Sequence, residues 1–390
     1  MVKHLFKLIW NKKKQNFLLI TEMLVSFIVI FSVFSLLVYF YQNYKKPIGF
    51  QYENVWAIRF NQPDNIKSKD SLTLFYAGIS NLLHSMPQIK HTSFTGANYP
   101  FATSTHNNNV TYHKNSIISN FYTVQDDYAN ALNLKLIEGR WFNKSDEVNK
   151  DKPVVINEKL KEKLFKNESP VGKILGEAPN TMRITGVATN FKDKGDYHAL
   201  SEGIFVRMDT TTYNFISTIL INVQPTADAA FESRLFKSLS NAIGSSIEVR
   251  HLTGERKSIN KITLVPMMIL FIVAGFLIIN VALGLFGVLW YNISKRKSEI
   301  GLRRAVGASG NSISKQLVGE ALVLATISLV VGSFFAVQFP LMNVFDLAAS
   351  TYLIALALAI FFIYLLVIVC ALYPAKQAAA IFPANALHED

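Results

Sequence analysis

Four long apolar runs constrain the fold of this chain more than any other feature. Each has about 20 residues or more with almost no charge, and about 20 helical residues rising 1.5 Å each cross the roughly 30 Å hydrocarbon core of a bilayer. With 50% hydrophobic residues and a mean hydropathy of +0.24, the 390-residue chain is too apolar for one soluble domain. We therefore predict four transmembrane helices. They cover residues 17–41, 263–291, 317–339 and 352–373.

The first run allows two interpretations, a retained helix or a cleaved signal peptide, because lysines precede it. Its apolar core exceeds the 7–15 residues typical of a signal peptide, and no small-x-small site follows it, which favours a retained helix. Residues 1–16 alternate Leu, Phe and Ile with Lys, which predicts an amphipathic helix at the membrane interface. Its expected interfacial anchors are Trp10, Lys12, Lys13 and Lys14.

Lysine and arginine indicate the topology, because cytoplasmic loops carry an excess of both. The loop 292–316 is rich in them, whereas the connection 340–351 has none. We therefore predict a multi-pass protein of the bacterial inner membrane, with both termini, including the tail 374–390, in the cytoplasm and residues 42–262 in the periplasm. The net charge of +12 follows this topology and forms no basic stripe interleaved with aromatic residues, so we expect no nucleic-acid partner.

The exported segment has a mixed α/β pattern, in which two βαβ halves flank a different middle stretch. The halves comprise Val55–Phe60, Ser71–Met86 and His91–Ala97, then Ser217–Val223, Ala227–Ile243 and Ile247–His251. The middle, roughly residues 101–213, is predicted to be an inserted subdomain. It contains short strands at Val110–His113, Val154–Ile156, Arg183–Val187 and Gly203–Val206, and a helix Asn157–Phe165 with Asn157 as N-cap.

Two stretches carry a family resemblance. In the exported segment, a Gly-Arg turn, a Val-Ile-Asn-Glu segment, a Pro-x-Gly-Lys turn and a Gly-Val strand occur in that order. They lie at Gly139-Arg140, Val155–Glu158, Pro170–Lys173 and Gly186-Val187. This order resembles the extracytoplasmic domain of MacB-like permeases. Residues Lys295–Ala308, Glu320–Leu322 and Leu372–Lys376 resemble the FtsX-like permease module. The resemblance implies the membrane subunit of a four-helix, type VII ABC transporter, with one helix, a large exported domain and three further helices.

One departure from that family concerns the ATPase. Members with a fused ATPase carry it before the first helix, whereas here 16 residues precede the first run and no G-x-x-x-x-G-K-[ST] motif occurs. The resemblance therefore implies the split form: a non-catalytic subunit that binds no cofactor, with ATP and Mg²⁺ bound by a separate ABC ATPase. Other expected partners are a second permease copy or a paralogue, a periplasmic adaptor and membrane lipids.

The cytoplasmic loop 292–316 is the principal candidate site, and two interpretations of it are open: a solvated basic connector or a short helix that docks on the ATPase. Glu299 and Arg303 are spaced to pair on a helix, Leu302 and Val306 share one face, and Gly307 suits a left-handed C-cap. The resemblance favours docking. The ATPase-coupling residues would be Glu299, Ile300, Leu302, Arg303, Arg304, Ala305, Val306 and Gly307.

Within the second span, Gly275, Asn280, Gly284 and Gly287 predict close helix contact, either inside one chain or at a dimer seam. Glu320 lies near the cytoplasmic end of the third run, where it would pair with Lys315 or reach the interface. A transport role for this carboxylate is the alternative. The histidines, His106 and His113 among them, lack metal-ligand spacing, so we expect no metal site.

Few polar groups are visible in the predicted spans, which disfavours a hydrophilic path through the bilayer. We therefore expect ATP-driven motion that expels amphipathic cargo of the antimicrobial peptide, macrolide or lipopeptide type. Lipoprotein extraction, or mechanical regulation of a cell-wall hydrolase or a sensing complex, are the alternatives. A receptor with an α/β sensor between two helices is disfavoured because two further spans follow.

Overall fold

The structure is a computed structural model and describes residues 13–63, 66 and 68–380. It divides into two compact units, a helical unit of residues 13–42 and 264–380 and an α/β unit, Asn43–Thr263. The helices in chain order are α1 (Lys13–Tyr44), α2 (Lys69–His84), α3 (Tyr128–Leu132), α4 (Glu158–Phe165), α5 (Ala229–Ile243), α6 (Leu252–Lys295), α7 (Lys297–Ala305), α8 (Gly310–Leu341) and α9 (Ala349–Ala379).

The strands belong to the α/β unit. In chain order they are β1 (Val55–Phe60), β2 (Ile89–Gly96), β3 (Asn107–Tyr112), β4 (Asn115–Val124), β5 (Leu136–Gly139), β6 (Lys152–Asn157), β7 (Ile174–Leu175), β8 (Met182–Ala188), β9 (Gly203–Arg207), β10 (Ile216–Val223) and β11 (Ile247–His251).

Four helices within the described ranges are long and apolar enough to cross a membrane: α1, α6, α8 and α9. Each extends beyond the apolar run predicted for it at both ends, because the flanking polar residues continue the helix. The predicted membrane α-helical class with an exported α/β domain is confirmed.

Small residues pack the helical unit. On α9, Ala355, Ala359 and Ala371 lie at four-residue multiples and are fully buried, so they form one face. On α8, Gly332 lies under the ring of Phe27, where an added β-carbon would come within 2.8 Å of Cε1. Lipid provides no hydrophobic drive for helix association, so close approach over small residues stabilises such a bundle.

Two split βαβ motifs form one end of the sheet. The strands there run in the order β11-β1-β10-β2, all antiparallel, with β1-α2-β2 and β10-α5-β11 as the two motifs. Both helices begin at a side-chain cap, Ser68 for α2 and Asp228 for α5. Their apolar faces cover one side of these strands, with Leu83 and Leu235 fully buried.

The middle stretch continues the same sheet in the order β4-β9-β6-β8-β5. One residue pair, Thr95 opposite Val124, connects β2 to β4. The pairs β4/β9 and β6/β8 are parallel, and β3 and β7 pair with β4 and β8 at the side. Asn157 caps α4 as predicted and also accepts a bond from the Gly203 N–H at 3.0 Å.

Candidate functional site

Helix α7 is a short, separate helix in the loop 292–316. Glu299 lies in its first turn, where a carboxylate complements the helix dipole. At its end the N–H of Gly307 donates to Arg304 at 3.2 Å, and the N–H of Ala308 donates to Arg303 at 2.9 Å. Gly307 has φ +100°, which a glycine adopts without a Cβ penalty, so the chain leaves the helix in a Schellman turn.

One face of α7 is fixed to its neighbours. Ile300 is buried against Ile313 and Leu317 of α8 and Ala378 of α9, and Gly301 is buried beside it. An apolar contact of this kind gives the short helix a defined position, which its length alone would not provide.

None of the residues that the structure describes covers the opposite face of α7. Leu302 is 56% exposed, Val306 is 82% exposed, and Ala305 is exposed between them. Ala305 and Val306 follow Leu302 by three and four residues, so the three side chains lie on one side of the helix. They form one apolar patch, here called the docking face. Contiguous exposed apolar groups are typical of surfaces that bind another molecule.

Charged groups connect α7 to α8. Arg296 donates to both carboxylate oxygens of Glu320, at 3.0 and 3.1 Å, and both side chains are largely buried. Glu299 pairs with Arg303 at 2.5 Å as predicted, and Arg303 also donates to Gln316 at 2.9 Å. A displacement of α7 would therefore be resisted by directional bonds as well as by packing.

The partner of Glu320 differs from the predicted one. We expected Lys315 or a path to the interface, but Arg296 and Gln316 satisfy the carboxylate. Arg296 lies at the break between α6 and α7, which brings it closer to Glu320 than the exposed Lys315.

Arg304, another predicted coupling residue, is half-buried, and its side chain lies beside Gly310. A β-carbon added to that glycine would be 3.2 Å from the Nη1 atom of Arg304.

The small residues of α6 separate into two kinds. A β-carbon on Gly284 would lie 2.5 Å from a carboxylate oxygen of Glu22 in α1, so this glycine permits close contact within the chain. At Gly275 and Gly287, no described residue has an atom within 4 Å of that position. Asn280 donates at 2.8 Å to the Phe276 carbonyl of its own helix, and among the described residues it has no hydrogen bond to another helix.

The sequence analysis did not identify Glu22 as a candidate, although it is an acidic residue within the first apolar run. In the part of the chain that the structure describes, its carboxylate has no hydrogen bond or ion pair and lies against Gly284. Of the predicted interfacial anchors, Trp10 and Lys12 lie outside the described residues. Lys13 and Lys14 begin α1, and their side chains are not described.

The Gly-Arg turn of the exported segment has a structural role. Arg140 forms a two-bond pair with Asp146 at 2.6 and 2.8 Å, and the Asn143 N–H donates to the same carboxylate at 3.0 Å. The hydrogen bond from Arg140 is the main cause that lowers the pKa of Asp146. This pair fixes the turn after β5 at the edge of the sheet.

Comparison with known proteins gives two family matches. Residues 17–254 match the MacB-like periplasmic core domain, and residues 271–383 match the FtsX-like permease C-terminal family. The two matches follow the order of the two stretches that carried the resemblance.

Relatives are distant and mostly longer. The chain is 23% identical over 304 residues to the macrolide export ATP-binding/permease protein MacB of Neisseria gonorrhoeae, covering 72% of this chain and 45% of that protein. It is 22% identical over 226 residues to the ABC transporter permease YknZ of Bacillus subtilis, described as uncharacterized, covering 57% of each. The chain thus spans about half the length of these curated relatives.

Two solved structures have a similar domain. The periplasmic region of MacB from Actinobacillus actinomycetemcomitans matches with a TM-score of 0.39 and 17% identity, over 54% of this chain and 94% of that one. The extracellular domain of the noncanonic ABC-type transporter YknZ from Gram-positive bacteria matches with a TM-score of 0.37 and 18% identity, over 50% of this chain and 100% of that one.

Proposed function

We propose that this chain, which belongs to the family of ABC transporter permeases with a MacB-like periplasmic core domain and an FtsX-like C-terminal module, transmits ATP-driven motion across the bacterial inner membrane. The main observation in support of this proposal is that the two faces of α7 differ. One side is bonded and packed to α8 and α9, and the other presents an exposed apolar docking face.

The proposed occupant of the docking face is a separate ABC ATPase. A helix that transmits motion from the ATPase to the membrane helices must be held firmly against them, since a mobile helix would move without displacing them. The Arg296–Glu320 pair and the burial of Ile300 supply that anchoring. ATP and Mg²⁺ are then the partner's ligands, and this chain contributes no catalytic group.

The distribution of Lys and Arg supports the proposed orientation of the permease in the membrane. Because cytoplasmic loops carry an excess of Lys and Arg, our proposal assigns the basic loop that contains α7 and both termini to the cytoplasm, and the α/β unit to the periplasm. In this orientation the docking face is on the side of the membrane where ATP is available.

The second span supports a paired permease, either another copy or a paralogue. Among the described residues, 6% of the most apolar stretch of α6 is buried, against 39% for α1, and Gly275 and Gly287 have no neighbour within 4 Å of an added β-carbon. The proposed cargo is amphipathic. The name of the Neisseria relative includes macrolide export, and our proposal for this chain extends to peptide and lipopeptide amphipaths because its four apolar runs contain few polar residues.

Affinity purification of the full chain from bacterial membranes tests this proposal. We expect an ABC ATPase to co-purify and the preparation to hydrolyse ATP, and we expect the hydrolysis to disappear when that subunit is removed. Hydrolysis by the purified chain alone would overturn the assignment of catalysis to a partner.

Orientation requires a separate measurement in a Cys370→Ala background. A cysteine at the exposed Ser104 should react with a membrane-impermeant thiol reagent added to spheroplasts, whereas one at the exposed Asn311 should react only after permeabilisation. Labelling of Asn311→Cys in intact spheroplasts would refute the proposed topology.

A further inference from the structure

Buried charges are concentrated in one loop of the α/β unit. This loop, Lys192–Asp196, follows β8 and is here called the junction loop. Lys192 and Asp193 are 2% exposed, and Asp196 is 6% exposed. A buried charge costs free energy unless it is paired or hydrogen-bonded. The partners of these side chains therefore indicate what the loop does.

Lys192 bonds to the chain where α1 ends. Its ammonium group donates to the backbone carbonyls of Asn43 and Lys46, the latter at 2.5 Å. Its backbone N–H donates to Ile48 at 2.8 Å. A cation at the C-terminus of a helix complements the exposed carbonyl dipoles, so this lysine fixes the exit of α1. Burial lowers the pKa of Lys192, and the carboxylate of Asp196 opposes that shift.

Asp196 bonds to the first turns of α6. Its carboxylate accepts from Arg256 at 2.9 and 3.0 Å and from Asn260 at 2.8 Å, and its N–H donates back to Asn260 at 3.0 Å. The Arg256 guanidinium also stacks over Tyr52 at 4.5 Å. Gly195, with φ +94°, lies so close to Asn260 that a β-carbon would approach its side-chain oxygen to 2.6 Å.

The centre of the junction loop bonds to the sheet. Asp193 accepts from the hydroxyl of Tyr122 in β4 at 2.6 Å, and its carbonyl accepts from the Phe101 N–H at 2.7 Å. Lys194 donates to two carbonyls of the segment 102–104, at 2.6 and 3.0 Å. Five consecutive residues thus connect the end of α1, the sheet and the start of α6.

We propose that Lys192 and Asp196 are positioning residues that clamp the end of α1 and the start of α6 to the sheet, so that both helix ends move with it as one body. The inference rests on the proposed function, because the clamp matters where helix motion must reach the exported domain. α6 itself is assigned from Leu252 to Lys295, with Pro266 inside it.

A purely stabilising role would not need these charges. Apolar residues of similar volume often replace buried ion pairs with neutral or favourable effect on stability. Directional bonds to two helix ends and to a strand instead define the position of each helix end against the sheet, which apolar contact defines poorly.

The chain offers matched controls for a test. Lys192→Met removes the bonds to the end of α1, whereas Lys194→Met removes a similar lysine whose bonds reach only the segment 102–104. Asp196→Asn weakens the bonds to α6, and Asn260→Leu removes, from the helix side, the two bonds between Asn260 and Asp196 while leaving those from Arg256. Asn260→Leu replaces Asp196→Asn if that variant fails to fold.

Spin labels report the two helix ends separately, in the full chain with Cys370→Ala in lipid nanodiscs. One label is placed at the exposed Asn115 on the β3–β4 hairpin, and the second at Lys45 for α1 or at Ser258 for α6. We expect narrow distance distributions for both pairs in the parent chain and in Lys194→Met. Lys192→Met should broaden the Lys45 pair, and Asp196→Asn should broaden the Ser258 pair.

A second measurement connects the clamp to function. In the complex with the ATPase, the clamp variants should still hydrolyse ATP but should lose the ATP-dependent response of the exported domain, read from labels at Ser104. Unchanged distributions in both clamp variants would refute the clamp. A retained ATP response with broadened distributions would refute its role in transmission. Absence of any associated ATPase in the parent preparation would instead refute the proposed function, and the distance measurements would still decide the clamp.

Discussion

Replacing Leu302 or Val306 with Asp tests the docking face of α7 most directly. Both side chains point away from the packed face, at 56% and 82% exposure, so neither is needed to fold the helical unit. Ile300, two residues before Leu302, is buried and is left intact. The substitutions therefore separate docking from folding.

The exposed fractions give the expected size of the effect. Full burial of a Leu or Val side chain contributes about 1.5–3 kcal/mol, so covering the fractions still exposed contributes about 1 kcal/mol for Leu302 and about 1.5 kcal/mol for Val306. Loss of both contacts costs about 2.5 kcal/mol, which corresponds to a roughly 60-fold weaker Kd. An aspartate adds the cost of burying an unpaired carboxylate, which brings the loss for each variant to several kcal/mol.

The assay is recovery of the ATPase with affinity-tagged permease, with titration of the purified subunits to obtain Kd. Asn311→Asp is the matched control: it adds the same charge at an exposed site in the first turn of α8, where the helix dipole favours an anion. We expect normal ATPase recovery with Asn311→Asp and loss of recovery with Leu302→Asp and Val306→Asp, at equal expression and membrane insertion.

Normal ATPase affinity in both aspartate variants would refute the reasoning. The loop would then be a solvated basic connector, and coupling would have to be assigned to another cytoplasmic segment, such as residues 1–16. Loss of membrane insertion in either variant would contradict the structural premise that these side chains are outside the packed core.

Two further predictions concern stability. Asp146→Asn should lower the free energy of unfolding by about 1–3 kcal/mol at neutral pH, because Arg140 loses a charged partner. Since the folded pKa of Asp146 is lowered, its contribution is present above the unfolded pKa of about 3.9 and is lost as the pH falls through the folded pKa. The difference in Tm between parent and variant should therefore shrink on acidification, and a pH-independent difference would contradict the assignment. Gly332→Ala should destabilise the helical unit by about 1–3 kcal/mol, because its β-carbon meets the buried ring of Phe27. Gly319→Ala, on the same helix with nothing within 4 Å, should be neutral or slightly stabilising in the same thermal unfolding assay in detergent.

Hydropathy and local patterns were sufficient for much of the fold. The four apolar runs became α1, α6, α8 and α9, and the two βαβ motifs have nearly the predicted bounds. β4 was missed because it mixes Asn and Ser with Ile and Tyr, and its place in the sheet depends on parallel pairing with β9, more than 80 residues later. Such pairing cannot be inferred from a local window of sequence.

Some features of the coupling residues could also be predicted from local patterns. The pairing of Glu299 with Arg303 and the turn at Gly307 depend on helix spacing, so both can be predicted from the sequence. The partner of Glu320 depends on how α6 breaks at Arg296, and no spacing rule encodes that break. The junction loop was missed entirely, because Lys192 and Asn43 are 149 residues apart in the sequence and Asp196 and Arg256 are 60 apart, so no local pattern brings them together.

The glycines of α6 are stronger support for a permease partner than its large exposed side chains. Apolar side chains that face lipid need no protein contact, because lipid tails are equally apolar. A glycine inside a helix, in contrast, costs about 1 kcal/mol relative to alanine, and close approach of a neighbouring helix is one reason for its presence in a membrane span. Gly284 has one within the chain, the carboxylate of Glu22, whereas Gly275 and Gly287 have none among the described residues. Close approach of a helix from a second permease would supply that reason, and it would place the seam on the span that the single chain covers least.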